Sequence, residues 1–383
     1  MKIVFLSNYF SHHQKQLSEE LYAKLNGEFS FISTSEMREE RRKLGYNYYE
    51  EPVFVRKIHE DHNKEKCQSI IDDAEVVITG SAPEMYLDKR HEEQKIVIRY
   101  SERLYKQGVK YYKLPIRLFR FRKKYSANKN QYLLCASAYT AADFALTNNF
   151  KNRSYKWGYF PQTMVYDIDT LLKKKNKKKI LWCGRFLDWK HPEQVVNIGK
   201  RLLLEGYEFE IVFIGAGELE QKLKETINTN GLSNRIQILG SMSPDEVRGY
   251  MEEAGIYLFT SDYQEGWGAV LNEAMNSGCA VIASHAIGAV PYLIKHYENG
   301  IIYKNGNEED LYNKVKYLLV NKDEQQRMGR SAYNTIINTW NASVAATRLI
   351  EFIKQINEHG YCDLYAEGPC SKAEIIKNNW FRE

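Results

Sequence analysis

Residues 265–284 read EGWGAVLNEAMNSGCAVIAS, with Glu265 and Glu273 on either side of a glycine-containing turn. A carboxylate accepts hydrogen bonds from paired hydroxyls, and a glycine without Cβ lets an anion come close to backbone N–H groups. Gly266 and Gly268 stand where a helix is expected to start, which leaves the amides of Gly268, Ala269 and Val270 open to an anion. Upstream, GRFLDWKHPEQ places Arg185 and Lys190 in a loop after a strand ending at Gly184, and FIGAGE places Gly215 and Gly217 in a tight turn. Two cations and a row of open amides suit a diphosphate through charge-assisted hydrogen bonds. Glu273, near the first helical turn, suits the hydroxyl pair of a ribose, and Glu265 suits the hydroxyls of a second sugar. Hydroxyl clamps flanking a diphosphate grip describe a nucleotide-sugar. Singly, each piece has a bland reading: an early helical Glu complements the dipole, and a loop Lys is solvated. Their arrival on successive loops argues for one shared ligand.

Those loops need strands to carry them. In the first half the candidates are IVFLS (3–7), EVVIT (75–79), KIVIR (95–99) and QYLLCAS (131–137). The second half offers KILWCG (179–184), FEIVFIG (209–215), RIQILG (235–240), GIYLFTS (255–261) and CAVIAS (279–284). Helical patterns such as HPEQVVNIGKRLLLEG separate them, and Ser243, Pro244 and Glu246 form a capping box with Pro at the first helical position. Strands that are apolar on both faces and alternate with helices imply parallel sheets in α/β layers. The expected architecture is two Rossmann-like, doubly wound domains with the carboxyl ends of their sheets facing a central cleft, where open parallel sheets bind ligands. The lysine-rich LLKKKNKKK (171–179) reads as the exposed linker. This places a first domain at 1–170 and a second at 171–364, with a helix at about 365–383 docking back on the first.

At 383 residues, 43% hydrophobic and 27% charged, the chain suits two globular domains. A net charge of +5 does not by itself call for nucleic acid. No apolar run approaches the ~20 residues of a membrane span, and the opening MKIVFLSNYF is too short for a signal-peptide core. The six cysteines (Cys67, Cys135, Cys183, Cys279, Cys362 and Cys370) are scattered without a metal-type pair. Free buried thiols point to a reducing compartment, so the expected location is cytoplasmic.

GRFLDWKHPEQVV, FIGAGE, LGSMSPDEVRGYMEEAGIYLFTS and EGWGAVLNEAMNSGCAVIAS together resemble the successive motifs of the family 4 retaining glycosyltransferases, which have the GT-B fold. The resemblance covers most of residues 178–340. It matches Glu265 and Glu273 to the family's Glu-x7-Glu element, and Arg185 and Lys190 to its diphosphate-binding pair. It implies a nucleotide-diphosphate sugar donor, most often UDP-linked, and transfer with retention. No metal and no bound cofactor are implied, while a C-terminal helix crosses back to the first domain. The implied catalytic set is Arg185, Lys190 and Glu265. The implied donor contacts are Gly184, Gly215, Gly217, Gly266, Trp267, Gly268, Ala269, Val270 and Glu273. Two departures stand out. Gly288, Ala289, Val290, Pro291 and Tyr292 lack the second glycine and the acid of the family's Gly-Gly-x-Pro-Glu turn, and the first strand is followed by NYFSHHQKQLSEEL without a glycine pair.

The first domain should therefore hold a specialised acceptor, a glycan or lipid-linked saccharide of the kind used in cell-surface polysaccharide or glycolipid synthesis. His12, His13, Arg99, Glu102 and Arg103 lie at or just past expected strand ends as acceptor or sugar contacts. Glu102 stands roughly where members of the resembled family often carry a residue contacting the donor sugar, and the two arginines would read an acidic or phosphate-bearing acceptor. The stretch VKYYKLPIRLFRFRKKYSANK, which starts at Val109 and ends at Lys129, interleaves basic and aromatic residues as an anionic membrane surface requires. Its bland reading is a solvated helix with one packed aromatic face. Nucleic acid is disfavoured, since no recognition motif accompanies the stretch. A non-catalytic partner or chaperone of another transferase, and a nucleotide-sugar hydrolase or epimerase, are the competing functions. A dinucleotide oxidoreductase is excluded because SNYFSHHQ is no glycine-rich fingerprint.

Overall fold

The computed structural model of the protein describes residues 1–37, 39 and 51–382. The chain divides into two units, Met1–Gln162 with Asn341–Lys377, and Thr163–Trp340 with Asn378–Glu383. Each is a parallel α/β layer structure.

In unit 1, β1 (Ile3–Ser7), β2 (Phe29–Ser33), β3 (Val55–Lys57), β4 (Val76–Thr79), β5 (Ile96–Ser101), β6 (Gln131–Cys135) and β7 (Ser154–Lys156) form one sheet in the order β3-β2-β1-β4-β5-β6-β7. Every residue of β1, β4 and β6 is buried, as expected for strands covered on both faces. In unit 2, β8 (Asn176–Cys183), β9 (Glu210–Ile214), β10 (Ile236–Ile238), β11 (Ala254–Phe259), β12 (Ala280–Ser284) and β13 (Ile301–Tyr303) follow the order β10-β9-β8-β11-β12-β13. The ladders between all of these strands are parallel. In both sheets the order reverses beside the first strand, between β1 and β4 and between β8 and β11. Crevices for ligands open at the carboxyl ends of strands at such reversals.

The expected strands are all present, and the sequence reading lacked four others. Three of these, β3, β7 and β13, span three residues each, too few for a hydrophobic period to register. The fourth, FSFIS of β2, is short and interrupted by serines.

Three expectations about organisation need correction. The first unit ends at Gln162, not at 170, because the following residues are tied into unit 2. There Met164 and Asn276 exchange two hydrogen bonds of 2.8 and 3.0 Å, and Tyr166 bonds Tyr333 and Glu252. The chain re-enters unit 1 at Asn341, which caps the helix Ala342–His359 through Val344 N–H. That helix packs on His12–Lys24 within unit 1, so the returning element begins well before 365. Beyond Gly360 the described residues form no helix, and Lys372 bridges to Tyr155 of β7 instead.

The lysine run is no linker either. It supplies the last turn of the helix Ile168–Lys174 and the start of β8, and two of its lysines are buried. Lys175 donates to the carbonyls of Met251, Glu252 and Ala254 at 2.7, 3.1 and 2.8 Å, closing the C-terminus of the helix Pro244–Glu253. Orphan helix-end carbonyls and the negative end of the dipole make this a favourable place for a cation, although burial lowers the Lys175 pKa. Lys179 is held by Glu253 at 2.7 Å and Glu210 at 3.3 Å. Replacing Lys175 with Met keeps the apolar stem and removes a charged donor from three carbonyls, leaving Met251 O and Ala254 O the weak Cys279 Sγ donor at 3.1 and 3.6 Å. Unfolding in urea should show a loss of roughly 2–3 kcal/mol, with the midpoint moved and the slope unchanged.

Candidate functional site

The reversal in unit 2 gathers the loops that follow β8, β9 and β11. After β8 the chain passes Gly184 and Arg185, makes one 3-10 turn over Asp188–Lys190, and enters the helix Pro192–Leu204. The turn after β9 lies directly against it. Gly184 N–H donates to Ile214 O at 2.9 Å and Phe186 N–H to Ala216 O at 3.0 Å. A Cβ on Gly215, whose φ is +139°, would sit 1.9 Å from Gly184 O, and one on Gly217 would sit 2.6 Å from Phe186 O. Close backbone contact between two loops thus explains both glycines without invoking a ligand.

Lys190 is aimed by its neighbours. Trp182 Nε1 donates to Thr260 Oγ1 at 2.9 Å, and that hydroxyl donates to Lys190 O at 2.6 Å. The Lys190 ammonium lies 4.7 Å from the Trp189 ring centroid and pairs with Glu265 Oε2 at 2.6 Å. The same carboxylate oxygen accepts from Ser261 Oγ at 3.1 Å. Both charged side chains are largely covered, at 12% and 14% exposure, so their attraction is screened less than that of a surface pair. Arg185 is exposed, and among the described residues its guanidinium has no ion pair or hydrogen bond.

At Gly268, φ is +87° and a Cβ would stand 2.5 Å from the Phe259 ring, so only glycine lets the chain turn here into the helix Val270–Asn276. Among the described residues the N–H groups of Gly268, Ala269 and Val270 donate to no protein acceptor. The helix is seven residues long, so the open amides matter more than its dipole. Glu273 is partly exposed. Burial pushes its carboxyl up to about 7, Arg248 opposing, and no donor among the described residues reaches it.

Trp267, also expected as a donor contact, has a core-packing role in this structure. Trp267 is fully buried, its Nε1 donates to Asn272 Oδ1 at 2.9 Å, and its ring packs against Tyr292 and Trp340. An indole buries a large apolar area, and here it anchors the turn from inside the core. Gly266 is buried beside it.

Sequence reasoning missed His191 and Asp262. His191 adopts a left-handed conformation at φ 50° and ψ 49°. Its ring stands 3.1 Å from Glu193 Oε1 and 3.7 Å from Asp262 Oδ2, while Asp262 N–H donates to Trp189 O at 2.9 Å. Hydrogen bonds to Asp262 and Glu193 raise the His191 pKa to about 9. The loop carrying Lys190 is thereby tied to the loop carrying Glu265. No spacing signal marks this pair, because its partners come from different loops.

Unit 1 has its own cavity of about 390 Å³, at the carboxyl ends of β1, β4 and β5. His12, His13, Glu102 and Arg103 line it, together with Tyr100, Lys106 and Tyr159. The two imidazoles lie 3.8 Å apart by ring centroids, and Ser11 with Gln14 forms a capping box at the helix start. Glu102 accepts from Tyr159 Oη at 2.8 Å and pairs with Lys106 at 2.5 Å.

The two arginines expected to read an acceptor both have carboxylate partners inside unit 1. Arg99 is buried, gripping Glu84 at 2.6 and 2.8 Å and Gln131 at 2.9 Å, and does not line the cavity. Arg103 reaches the cavity wall, but its guanidinium is buried, 3.5 Å from Asp143 Oδ1 and over the Tyr139 ring. A desolvated cation needs a carboxylate partner, and the fold provides one to each.

Residues 167–335 match the family model for glycosyl transferases group 1. A stretch of 211 residues is 26% identical to an uncharacterized glycosyltransferase of Methanocaldococcus jannaschii, covering 54% of this chain and 55% of that one. Over 183 residues the chain is 26% identical to the amylovoran biosynthesis glycosyltransferase of Erwinia amylovora, covering 46% and 45%. The chain thus spans about half the length of these curated relatives. Among solved structures, that of Anabaena HepE in complex with UDP superposes with a TM-score of 0.69 at 14% identity, over 93% of this chain and 100% of that one. The shared fold is the pair of Rossmann-like domains of GT-B glycosyltransferases.

Proposed function

We propose that this chain, which carries the glycosyl transferases group 1 match over the whole of its β8–β12 loop cluster, transfers a sugar from a nucleoside-diphosphate donor to a glycan or lipid-linked saccharide. The observation that carries the reading is the convergence of Arg185, Lys190 and three open amides with two carboxylates at the sheet reversal of unit 2. The diphosphate lies against the cations and the amides of Gly268, Ala269 and Val270. Glu265 holds the transferred sugar and Glu273 the ribose. UDP is the favoured nucleotide, in line with the ligand of HepE.

As the bond from the anomeric carbon to the diphosphate oxygen breaks, negative charge grows on the leaving phosphate. Arg185, Lys190 and the amides stabilise that charge more in the transition state than in the ground state, which is what accelerates the step. The departing phosphate oxygen takes the proton of the acceptor hydroxyl on the same face, so the new bond keeps the anomeric configuration. Arg185, Lys190 and the open amides meet the phosphate charge directly in this reading, so a chelator should leave the rate unchanged.

Binding should depend on pH through Glu273. Ribose hydroxyls donate to the ionised carboxylate, so UDP binding expels the proton that Glu273 holds below about 7. UDP affinity should therefore rise with pH, by up to about tenfold per unit below 7, and level off above it. The contribution to fold stability runs the other way. The native state keeps a proton that the unfolded chain releases near 4.5, so this stabilisation fades between pH 4.5 and about 7. Titration calorimetry with UDP across this range checks the first sign and urea unfolding checks the second, each against Glu273→Gln.

The acceptor site is the unit 1 cavity, with His12, His13 and Glu102 in contact with the acceptor. A membrane surface presents that acceptor through the helix Leu114–Ser126 and the turn before it. Tyr111, Tyr112 and Phe119 are 72%, 74% and 73% exposed, beside exposed Lys113, Arg120 and Lys123. Exposed aromatics interleaved with cations suit the interface of an anionic bilayer. Arg117 and Lys124 are engaged by Tyr105 and Glu84, so Arg120→Glu with Lys123→Glu is the cleaner test. These changes should reduce sedimentation with phosphatidylserine vesicles at least tenfold, and unchanged sedimentation would refute the contact.

A thermal-shift panel of UDP, GDP, ADP and CDP, followed by their sugars, tests the whole reading, since a ligand of the folded state raises apparent stability. UDP should give the largest shift. Release of UDP from UDP-sugar should require added acceptor, whereas release without one would identify a hydrolase. Binding without any turnover would favour the non-catalytic partner.

A further inference from the structure

The segment from Asn378 onward groups with unit 2, although residues 341–377 group with unit 1. Its hydrogen bonds fall on the loops at the carboxyl edge of the unit 2 sheet. Asn378 O accepts from Tyr263 Oη at 2.8 Å and lies 3.2 Å from His285 Nε2, and Tyr263 Oη is 2.9 Å from that same nitrogen. Asn305 N–H donates to His285 Nδ1 at 2.9 Å, so Nδ1 is the acceptor and Nε2 carries the proton of the neutral ring. Trp380 Nε1 donates to His285 O at 3.3 Å. The Phe381 ring lies 5.1 Å from His296, and the Lys314 ammonium lies 5.6 Å from its centroid.

These contacts lead to the donor residues in two short steps. Tyr263 stands two positions before Glu265, in the loop closed by Glu265 N–H donating to Asp262 O at 3.1 Å. His285 opens the loop after β12, and Gly288 in that loop donates to Glu265 O at 3.4 Å. The segment therefore touches both loops that bracket Glu265, and it does so through hydrogen bonds aimed at single atoms.

We infer that Asn378, Trp380 and Phe381 form a strap that positions Tyr263 and His285, and through them the backbone of Glu265, for donor binding. Their role is positioning, and it rests on the donor reading given above. With the strap in place the loop is held in the conformation that accepts the sugar. Without it that conformation becomes a minority state, and apparent affinity falls by the fraction populated.

The test compares the full chain with one stopped after Lys377 and with the single variants Tyr263→Phe and Trp380→Ala. Hydrogen exchange at residues 262–268 and 285–290 should quicken about tenfold in the stopped chain, while exchange in β8 and β9 stays the same. The donor KM for UDP-sugar should rise about tenfold with a smaller change in kcat, and a peptide of residues 372–383 added in trans should restore it. Tyr263→Phe, which keeps the ring and removes one hydrogen bond to the strap, should show part of the same KM rise. Unchanged exchange in the stopped chain would overturn the inference. So would a general loss of protection across the sheet, which marks a packing role. If exchange quickens in the two loops but neither chain binds any nucleotide, the strap stands and the donor reading falls.

Discussion

Lys190→Ala should lower sugar transfer roughly 10²–10³-fold, with the fold intact by circular dichroism. Two losses combine. The ammonium no longer meets the charge growing on the leaving phosphate, and Glu265 is left without the partner that neutralises it at 2.6 Å. An uncompensated carboxylate beside the diphosphate repels it, so UDP binding should weaken as well. Arg185→Ala lacks the second effect, because Arg185 is exposed and has no carboxylate partner among the described residues. Its cost should therefore sit mostly in turnover, near the lower end of the same range. Acceptor-dependent UDP release measures the rate, and calorimetry with UDP measures binding. Wild-type rates in both variants would remove these residues from the mechanism.

Glu265→Gln should move binding and turnover in opposite directions. Glutamine cannot neutralise Lys190, so the ammonium becomes available to phosphate and UDP should bind several-fold more tightly. The carboxylate that accepts sugar hydroxyls is gone too, and transfer should fall about 10²-fold. In the double variant Lys190→Ala with Glu265→Gln, UDP should bind better than in Lys190→Ala alone, since the repelling charge is absent. The coupling read from this cycle should exceed about 1 kcal/mol for a pair this close and this covered. If Glu265→Gln weakened UDP and transfer equally, Glu265 would hold the loop and would not be a sugar ligand.

Such coupling could not be read along the chain. Glu265 and Lys190 each stand out in the sequence as candidates for the proposed donor site, but 75 positions separate them and nothing in the spacing pairs them. Arg99 and Arg103 show the opposite outcome. Both stand at a strand end where an acceptor contact is expected, and Glu84 and Asp143 draw them into the protein. The lysines of 171–179 misled for a related reason. A polar run reads as solvated unless its partners are known, and those of Lys175 are three carbonyls 76 to 79 residues away.

What the sequence determined alone was local: which segments are doubly buried parallel strands, and where glycines, cations and carboxylates follow them. Hydrophobic runs and turn residues act over a few positions, and parallel pairing then brings successive loops to one edge of a sheet. The tertiary structure decided which charges are taken up by the protein itself and which, like Arg185, stay exposed. It turned Trp267 inward as an anchor, tied His191 to Asp262, and brought Asn378, Trp380 and Phe381 to the loops beside Glu265. Burial and ion pairing depend on neighbours brought together only by folding. The same lysine is a solvated side chain, a helix cap or a phosphate ligand according to what the fold sets beside it.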